Sequence, residues 1–90
     1  AQEVGADGVT VNAICPGRII TDIIKASGPA TAKAMGLTFD QMVDLFSRES
    51  AIKRPNKVEQ VAETAVLLAS DVGEGSTGAT WSVDGGTAPY

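Results

Sequence analysis

The sequence predicts an α/β fold in which two parallel strands are joined by a helical crossover. Residues 9–14 are β-branched and apolar, residues 79–83 alternate between apolar and polar side chains, and the segment between them carries helix patterns. Parallel strands need a long crossover connection, which is usually helical, so this order of elements makes a right-handed βαβ unit. Strands that were antiparallel or far apart would contradict the prediction.

The first strand is expected to follow a short irregular segment. Residues 1–4 are predicted to be the frayed end of a helix, and residues 5–8 a turn in which glycine allows positive φ. Residues 9–14 show little strict alternation, which is typical of a strand buried on both faces of a parallel sheet.

The pair Pro16-Gly17 is expected to end this strand. Proline has no N–H for the sheet ladder, and glycine lets the backbone approach a flat ligand closely. Ligands of open α/β sheets lie beyond the carboxyl ends of the strands, so the pair can form one wall of a binding crevice. On the residues alone, an ordinary strand terminator followed by a turn is an equally good interpretation.

The crossover is expected to begin with an interrupted helical segment and a capped helix. Thr21 can cap a short helical turn over residues 23–26, which the Ser-Gly-Pro of residues 27–29 should break. Thr38 and Gln41 have the spacing of a capping box. The apolar stripe that follows at helical spacing consists of Phe39, Met42, Val43 and Phe46.

A longer helix is predicted before the second strand. Asn56 and Glu59 form a second capping pattern, and the apolar periodicity continues to about residue 70. One such helix covers only one face of a two-stranded sheet, so it cannot cover all the apolar strand residues, which are Val9, Val11, Ala13, Trp81 and Val83. The bare face would be an apolar patch of roughly several hundred Å², so the segment should need the rest of its fold, or another chain.

Three features of the sequence are similar to cofactor-binding or catalytic sites, but each is better interpreted as an ordinary part of the fold. Residues 73–78 spell G-x-G-x-x-G but leave a helix and enter a strand, the reverse of a dinucleotide loop, so a flexible connection is expected. Ser50 and Lys53 match S-x-x-K without its companion motifs. Cys15 ends an apolar strand and has no basic partner. The sequence has no histidine, which excludes a histidine base or histidine-ligated metal within these residues, and no metal site is predicted.

The composition of the chain argues against two kinds of binding partner, nucleic acid and a membrane. The chain is 43% hydrophobic with a net charge of -4, which argues against nucleic acid, and no apolar run approaches the roughly 20 residues that span a membrane. Arg18 and Lys25 are expected to be solvated surface cations. A single cysteine forms no internal disulfide, so a cytoplasmic location is expected.

Two stretches carry a family resemblance. VTVNAICPGRIIT resembles the late strand and Pro-Gly loop of the short-chain dehydrogenases/reductases, and TGATWSVDGG resembles their last strand. The resemblance implies that residues 1–90 are a single partial domain, the C-terminal βαβ portion of a Rossmann-type doubly wound parallel sheet, with residues 22–56 as a substrate lid. The family's glycine-rich loop, catalytic serine and Y-x-x-x-K motif would lie upstream, so no catalytic residue is expected here.

The same resemblance implies a cofactor site and a function. Pro16 and Gly17 would lie beside the nicotinamide ring of NAD or NADP, while the backbone of Ile19 and the backbone and hydroxyl of Thr21 would hold the carboxamide. The chain would belong to an oxidoreductase that transfers a hydride between this cofactor and a small carbonyl or secondary alcohol, in a homo-oligomer. The alternatives are a noncatalytic binding or assembly module, and a subunit that completes an enzyme with a separate N-terminal chain.

Overall fold

Three helices connect two short parallel strands in this chain. The computed structural model describes residues 1–88. The strands are β1 (Ala13–Pro16) and β2 (Thr80–Val83), and the helices are α1 (Asp22–Ala34), α2 (Phe39–Ser47) and α3 (Val58–Ala69). Short 3-10 turns cover Gly5–Asp7 and Asp71–Gly73.

The two strands are hydrogen-bonded neighbours and run parallel, so the predicted α/β crossover is confirmed. Ala13 pairs with Thr80 at one end and Pro16 with Val83 at the other. Proline can occupy the last rung because the next ladder bond comes from the N–H of Gly17, which donates to the carbonyl of Val83 at 3.1 Å. Pro16 is therefore the last residue of the strand, whereas the sequence suggested that it follows the strand.

The first strand begins later than predicted because a side chain replaces part of its backbone ladder. The Asn12 Nδ2 donates to the carbonyl of Ser76 at 2.8 Å, and Asn12 Oδ1 accepts from the N–H of Ala79 at 3.1 Å. The side chain of Asn12 thus ties this segment to the loop before β2, and regular strand pairing starts at Ala13.

Burial of the strand on both faces, as predicted, is not found within residues 1–88. Val9 and Val11 are 48% and 49% exposed, and Trp81 is also exposed. The buried apolar core instead lies between α1 and α2, where Ala32 is 0% and Met42 4% exposed. The radius of gyration is 16.7 Å, against about 12 Å for a compact domain of this length. An open apolar face is typical of an interface, as the sequence led us to expect.

Helix α1 runs through the Ser-Gly-Pro that was expected to break it. Thr21 caps it as predicted, since its hydroxyl oxygen accepts from the N–H of Ile24 at 3.4 Å. Pro29 removes one helical hydrogen bond. Gly28 is buried against the ring of Phe39, so tertiary packing outweighs the unfavourable propensity of this segment.

Helix α2 confirms the predicted capping box. The Gln41 N–H donates to Thr38 Oγ1 at 3.2 Å, and the Thr38 N–H donates to Gln41 Oε1 at 2.9 Å. Met42 in the predicted stripe is buried and Phe39 packs against Gly28 of α1. The two helices therefore form one packed unit.

Helix α3 is capped one position later than predicted. The Lys57 N–H donates to Gln60 Oε1 at 2.8 Å, so Lys57 takes the N-cap position that was assigned to Asn56. Asn56 is buried instead, and its N–H donates to the carbonyl of Arg18 at 3.2 Å. The side-chain oxygen of Asn56 has no hydrogen-bond partner in the described part of the chain.

The remaining connections are turns. Residues 2–4 form a turn, where a helix end was expected, and a 3-10 turn covers Gly5–Asp7. Gly8 has a φ of 77°, in agreement with the predicted use of glycine. The loop with the G-x-G-x-x-G spelling connects α3 to β2 as predicted, and the N–H of Gly78 donates to the carbonyl of Val11 at 2.8 Å. None of the helices in residues 1–88 combines the length and the apolar character of a membrane span.

The turn after β2 predicts a pH-dependent contribution to stability. The Asp84 carboxylate accepts from the N–H groups of Ala88 and Gly86, each at 2.9 Å, and these bonds hold the pKa of Asp84 below its ordinary value of 3.8. A lowered folded-state pKa stabilises the protein above pH 3.8, and this contribution is lost as the pH falls through the folded-state pKa. We expect Asp84→Asn to unfold at lower urea concentration near pH 7, with the difference from wild type shrinking below pH 3.8. An equal difference at all pH values would contradict this.

Candidate functional site

A cleft with a volume of about 570 Å³ lies between the Pro-Gly loop and the helices α1 and α2. All four residues predicted to bind a cofactor line it, namely Pro16, Gly17, Ile19 and Thr21. The structure therefore brings together, on one wall, the positions that the sequence singled out. Whether they bind a cofactor remains a prediction.

Gly17 lies where no side chain fits. A Cβ atom at this position would be 2.7 Å from the Cα and 2.8 Å from the Cβ of Asp84, which is closer than nonbonded carbon atoms approach. Its N–H also donates to Val83 at 3.1 Å. The end of β2 thus fixes the loop from one side, and only glycine permits that contact.

The residues after Gly17 are held by the segment that leads into α3. Ile19 and Asn56 form an isolated parallel bridge, in which the Asn56 N–H donates to the carbonyl of Arg18 at 3.2 Å. Among residues 1–88, the N–H of Ile19 has no hydrogen-bond partner. A half-buried unpaired donor at the wall of a cleft is available to a ligand.

The hydroxyl group of Thr21 caps a helix and can also donate a hydrogen bond to a ligand. Its oxygen accepts the capping bond from Ile24 at 3.4 Å, which leaves its hydroxyl hydrogen free to donate. Thr21 and Ile19 are two residues apart along the same wall. Together they offer one backbone and one side-chain donor.

The opposite wall is mainly apolar. It is formed by side chains of α1 and α2, including Ile24, Met42, Val43 and Phe46. This is the predicted stripe of α2 without Phe39, which packs against Gly28. The wall can contact an apolar part of a ligand.

Arg18 is the residue that sequence reasoning missed. Its side chain is exposed, as predicted for a solvated cation. It also lines the cleft, where its guanidinium carbon lies 4.6 Å from the ring centroid of Phe46 and its Nη2 lies 3.4 Å from Glu49 Oε2. The only signal in the sequence was its position directly after Gly17, since nothing there connects it to α2. Lys25 lies on a separate surface depression with Ile20.

The other motifs hold no catalytic arrangement. Ser50 is buried and its Oγ donates to the carbonyl of Ser47 at 2.9 Å, while Lys53 Nζ donates to the carbonyl of Arg48 at 2.6 Å. Cys15 is half-buried in β1. The side chains of Ser50 and Lys53 thus bond to backbone carbonyl groups and not to each other.

Comparison with known proteins identifies the family. A family model described as enoyl-(acyl carrier protein) reductase matches residues 1–88. The D-beta-hydroxybutyrate dehydrogenase of Rhizobium meliloti (strain 1021) is 39% identical over 87 residues, which cover 96% of this chain and 34% of that protein. The chain belongs to the short-chain dehydrogenase/reductase family. It spans about a third of the length of the curated relatives it matches, consistent with the C-terminal part that the resemblance implied.

Solved structures of short-chain dehydrogenases/reductases contain the same arrangement of elements. A short-chain dehydrogenase family protein from Francisella tularensis superposes with a TM-score of 0.89 at 28% identity, over 97% of this chain and 36% of that one. The L-sorbose reductase of Gluconobacter frateurii, solved with NADPH and L-sorbose, gives a TM-score of 0.88 at 29% identity, over 99% of this chain and 34% of that one. The two-stranded sheet and its helices are therefore a portion of the Rossmann-type fold of this family.

Proposed function

We propose that this chain is the C-terminal part of an NAD(P)-dependent oxidoreductase, which transfers a hydride between its nicotinamide cofactor and a small carbonyl or secondary alcohol substrate. Family membership supports the reaction class, and NADPH is bound by the related L-sorbose reductase. The observation that carries the proposal is the shared cleft, where all four predicted cofactor-binding residues line one wall. Both NAD and NADP are consistent with this wall.

The residues of the wall fit the carboxamide end of a nicotinamide. A primary amide needs donors for its oxygen and acceptors for its nitrogen. The N–H of Ile19 and the hydroxyl of Thr21 are such donors, and the backbone carbonyl groups of the same segment are acceptors. Gly17 presents bare backbone to the flat ring. When bound, the nicotinamide would supply or accept the hydride.

We assign residues 22–56 to a substrate lid. This segment contains α1 and α2, and its apolar side chains form the wall of the cleft that faces the Pro-Gly loop. A wall of this kind excludes water from the reacting groups and orients an apolar substrate. The described residues supply orientation and exclusion, and we expect proton transfer from residues upstream in the family fold.

Replacement of Thr21 tests the cofactor wall. In the whole enzyme we expect Thr21→Val to raise the KM for the nicotinamide cofactor about tenfold, because a hydrogen bond to a ligand and a helix cap are both lost. Thr21→Ser keeps the hydroxyl and should stay within about threefold of wild type. The measurement is steady-state kinetics at saturating carbonyl substrate with varied NADH and NADPH.

Thr38→Val is the matched control for the lost cap. Thr38 caps α2 by the same type of bond, at 3.2 Å, but does not line the cleft. We expect this variant to unfold at lower temperature while the cofactor KM is unchanged. If both variants raised the cofactor KM equally, Thr21 would act only through the stability of its helix.

A subunit that completes an enzyme with a separate N-terminal chain is the second candidate. The exposed Val9, Val11 and Trp81 favour a covering partner in either case. The intact mass of the natural protein distinguishes the two, because a single long polypeptide supports the first proposal. Co-purification of a second chain with a Y-x-x-x-K motif supports the other.

A further inference from the structure

A single cation faces the cleft among apolar and hydroxyl-bearing side chains. Of the side chains that line the cleft within residues 1–88, that of Arg18 alone carries a charge. Arg18 follows directly on Gly17 and is thus fixed to the proposed nicotinamide wall, while its side chain extends to α2. It connects the two walls between which a substrate would lie.

The hydroxyl groups on the lid side of the cleft have already used their hydrogens. Ser27 Oγ donates to the carbonyl of Ile23 at 2.9 Å, and Thr31 Oγ1 donates to the carbonyl of Ser27 at 3.2 Å. Ser47 Oγ donates to the carbonyl of Val43 at 2.7 Å. A hydroxyl has one hydrogen, so these three groups can accept from a ligand but cannot donate without losing a bond.

The Arg18 guanidinium retains most of its donors. It lies 4.6 Å from the ring centroid of Phe46, and one nitrogen contacts Glu49 at 3.4 Å. A guanidinium carries five N–H groups. The side chains of Arg18 and Glu49 are 48% and 68% exposed, and such exposed pairs are weak enough to be exchanged for a ligand anion. The cation–π contact with Phe46 holds the group beside α2.

We propose that Arg18 binds a carboxylate of the substrate, so that the enzyme prefers oxo acids and the corresponding hydroxy acids over neutral carbonyl compounds. This inference rests on the proposed function, since it describes the substrate of the same cleft. A planar guanidinium donates two parallel hydrogen bonds to a carboxylate. The apolar wall formed by Ile24, Met42 and Val43 contacts the carbon chain.

The test compares acids with their methyl esters in the whole enzyme. The substrates are acetoacetate and levulinate, each with its methyl ester, and the readout is the ratio of kcat/KM for acid and ester. We expect Arg18→Gln to lower this ratio at least about tenfold, because a charge-assisted hydrogen bond is lost. Arg18→Lys keeps the charge without the planar pair of donors and should give an intermediate ratio.

Arg48→Gln is the matched control for the lost charge. Arg48 follows α2 and is exposed, but it does not line the cleft. We expect its acid-to-ester ratio to stay within about twofold of wild type, because exposed charges outside a site are screened. If Arg18→Gln and Arg48→Gln lowered the acid-to-ester ratio equally, the effect would come from net charge, and the inference would be wrong.

Binding of compounds that do not react separates this inference from the proposed function. Hexanoate and hexanamide are titrated calorimetrically into the enzyme with its nicotinamide cofactor. We expect Arg18→Gln to weaken the binding of hexanoate at least about tenfold relative to the binding of hexanamide. If the wild-type enzyme reduces esters as well as acids, the proposed role of Arg18 is wrong but the proposed function still stands. Absence of any nicotinamide-linked turnover overturns the proposed function, while the titration still decides whether Arg18 binds carboxylates.

Discussion

Gly17→Ala is expected to lower kcat/KM of the whole enzyme at least about 100-fold, because a displacement near 1 Å at a reacting site has this effect. The added methyl group would lie 2.7 Å from the Cα and 3.1 Å from the carbonyl oxygen of Asp84. These are backbone atoms, which cannot rotate away as a flexible side chain would. The loop or the end of β2 must therefore move, and the proposed nicotinamide wall moves with it.

The kinetic signature of this displacement is a change in cofactor binding. We expect the KM for the nicotinamide cofactor to rise more than the KM for the carbonyl substrate, and the protein to lose about 1–3 kcal/mol of stability from overpacking. The measurements are steady-state kinetics with each substrate varied in turn and urea unfolding.

Gly75→Ala is the matched control for Gly17→Ala. Gly75 lies in the loop before β2, its φ is not positive, and a Cβ there would meet no atom within 4 Å. We expect no change in kcat/KM and a stability within about 0.5 kcal/mol of wild type. If the KM for the nicotinamide cofactor were the same in Gly17→Ala as in the wild type, the Pro-Gly loop would not lie against the cofactor.

Local patterns predicted the parts of the fold that depend on neighbours in sequence. The capping box of Thr38 and Gln41 has the predicted bonds, and the cap at Thr21 forms as expected. These interactions span three residues, so their geometry is encoded where the residues occur. The parallel pairing of the strands followed from the helical crossover between them.

Long-range contacts decided the features that were predicted wrongly. Helix α1 continues through Gly28 and Pro29 because the Phe39 ring packs there, and no pattern within the segment itself indicates this partner. The first strand starts late because Asn12 bonds to residues near 76–79. Both outcomes need a contact between distant residues, which local propensity does not describe.

In the candidate site, too, some residues could be predicted from the sequence, whereas others depend on contacts with distant residues. Pro16 and Gly17 stood out because their backbone properties are visible in the sequence, whereas the contacts of Arg18 are with Phe46 of α2 and with Glu49, which follows α2. Asn56 was predicted to be a cap and is instead buried beside the Pro-Gly loop. The bridge uses the backbone N–H of Asn56, which donates to the carbonyl of Arg18. Every residue except proline has this group, so the sequence does not indicate the bridge.

Gly28→Ala is expected to destabilise the protein by about 2–3 kcal/mol through overpacking, although the same change at an exposed helical position would stabilise it by about 1 kcal/mol. The added Cβ would overlap Cε2 and lie 2.9 Å from Cδ2 of the Phe39 ring. Gly28 is buried and lines the cleft. Separation of α1 from α2 should therefore also raise the KM for the carbonyl substrate, with a smaller effect on the cofactor KM.

A double-mutant cycle shows whether the Phe39 ring causes this loss. Phe39→Leu alone should cost about 1 kcal/mol as a volume change in a half-buried site, but it makes room for the alanine methyl group. We expect the double variant Gly28→Ala/Phe39→Leu to be more stable than the sum of the single effects by at least about 1 kcal/mol. Ala30→Gly, at an exposed position of α1, measures helix propensity alone and should cost about 1 kcal/mol without changing the substrate KM. If the two effects were simply additive, the Phe39 ring would move aside for the added methyl group, and the packing of α1 against α2 would not depend on this contact.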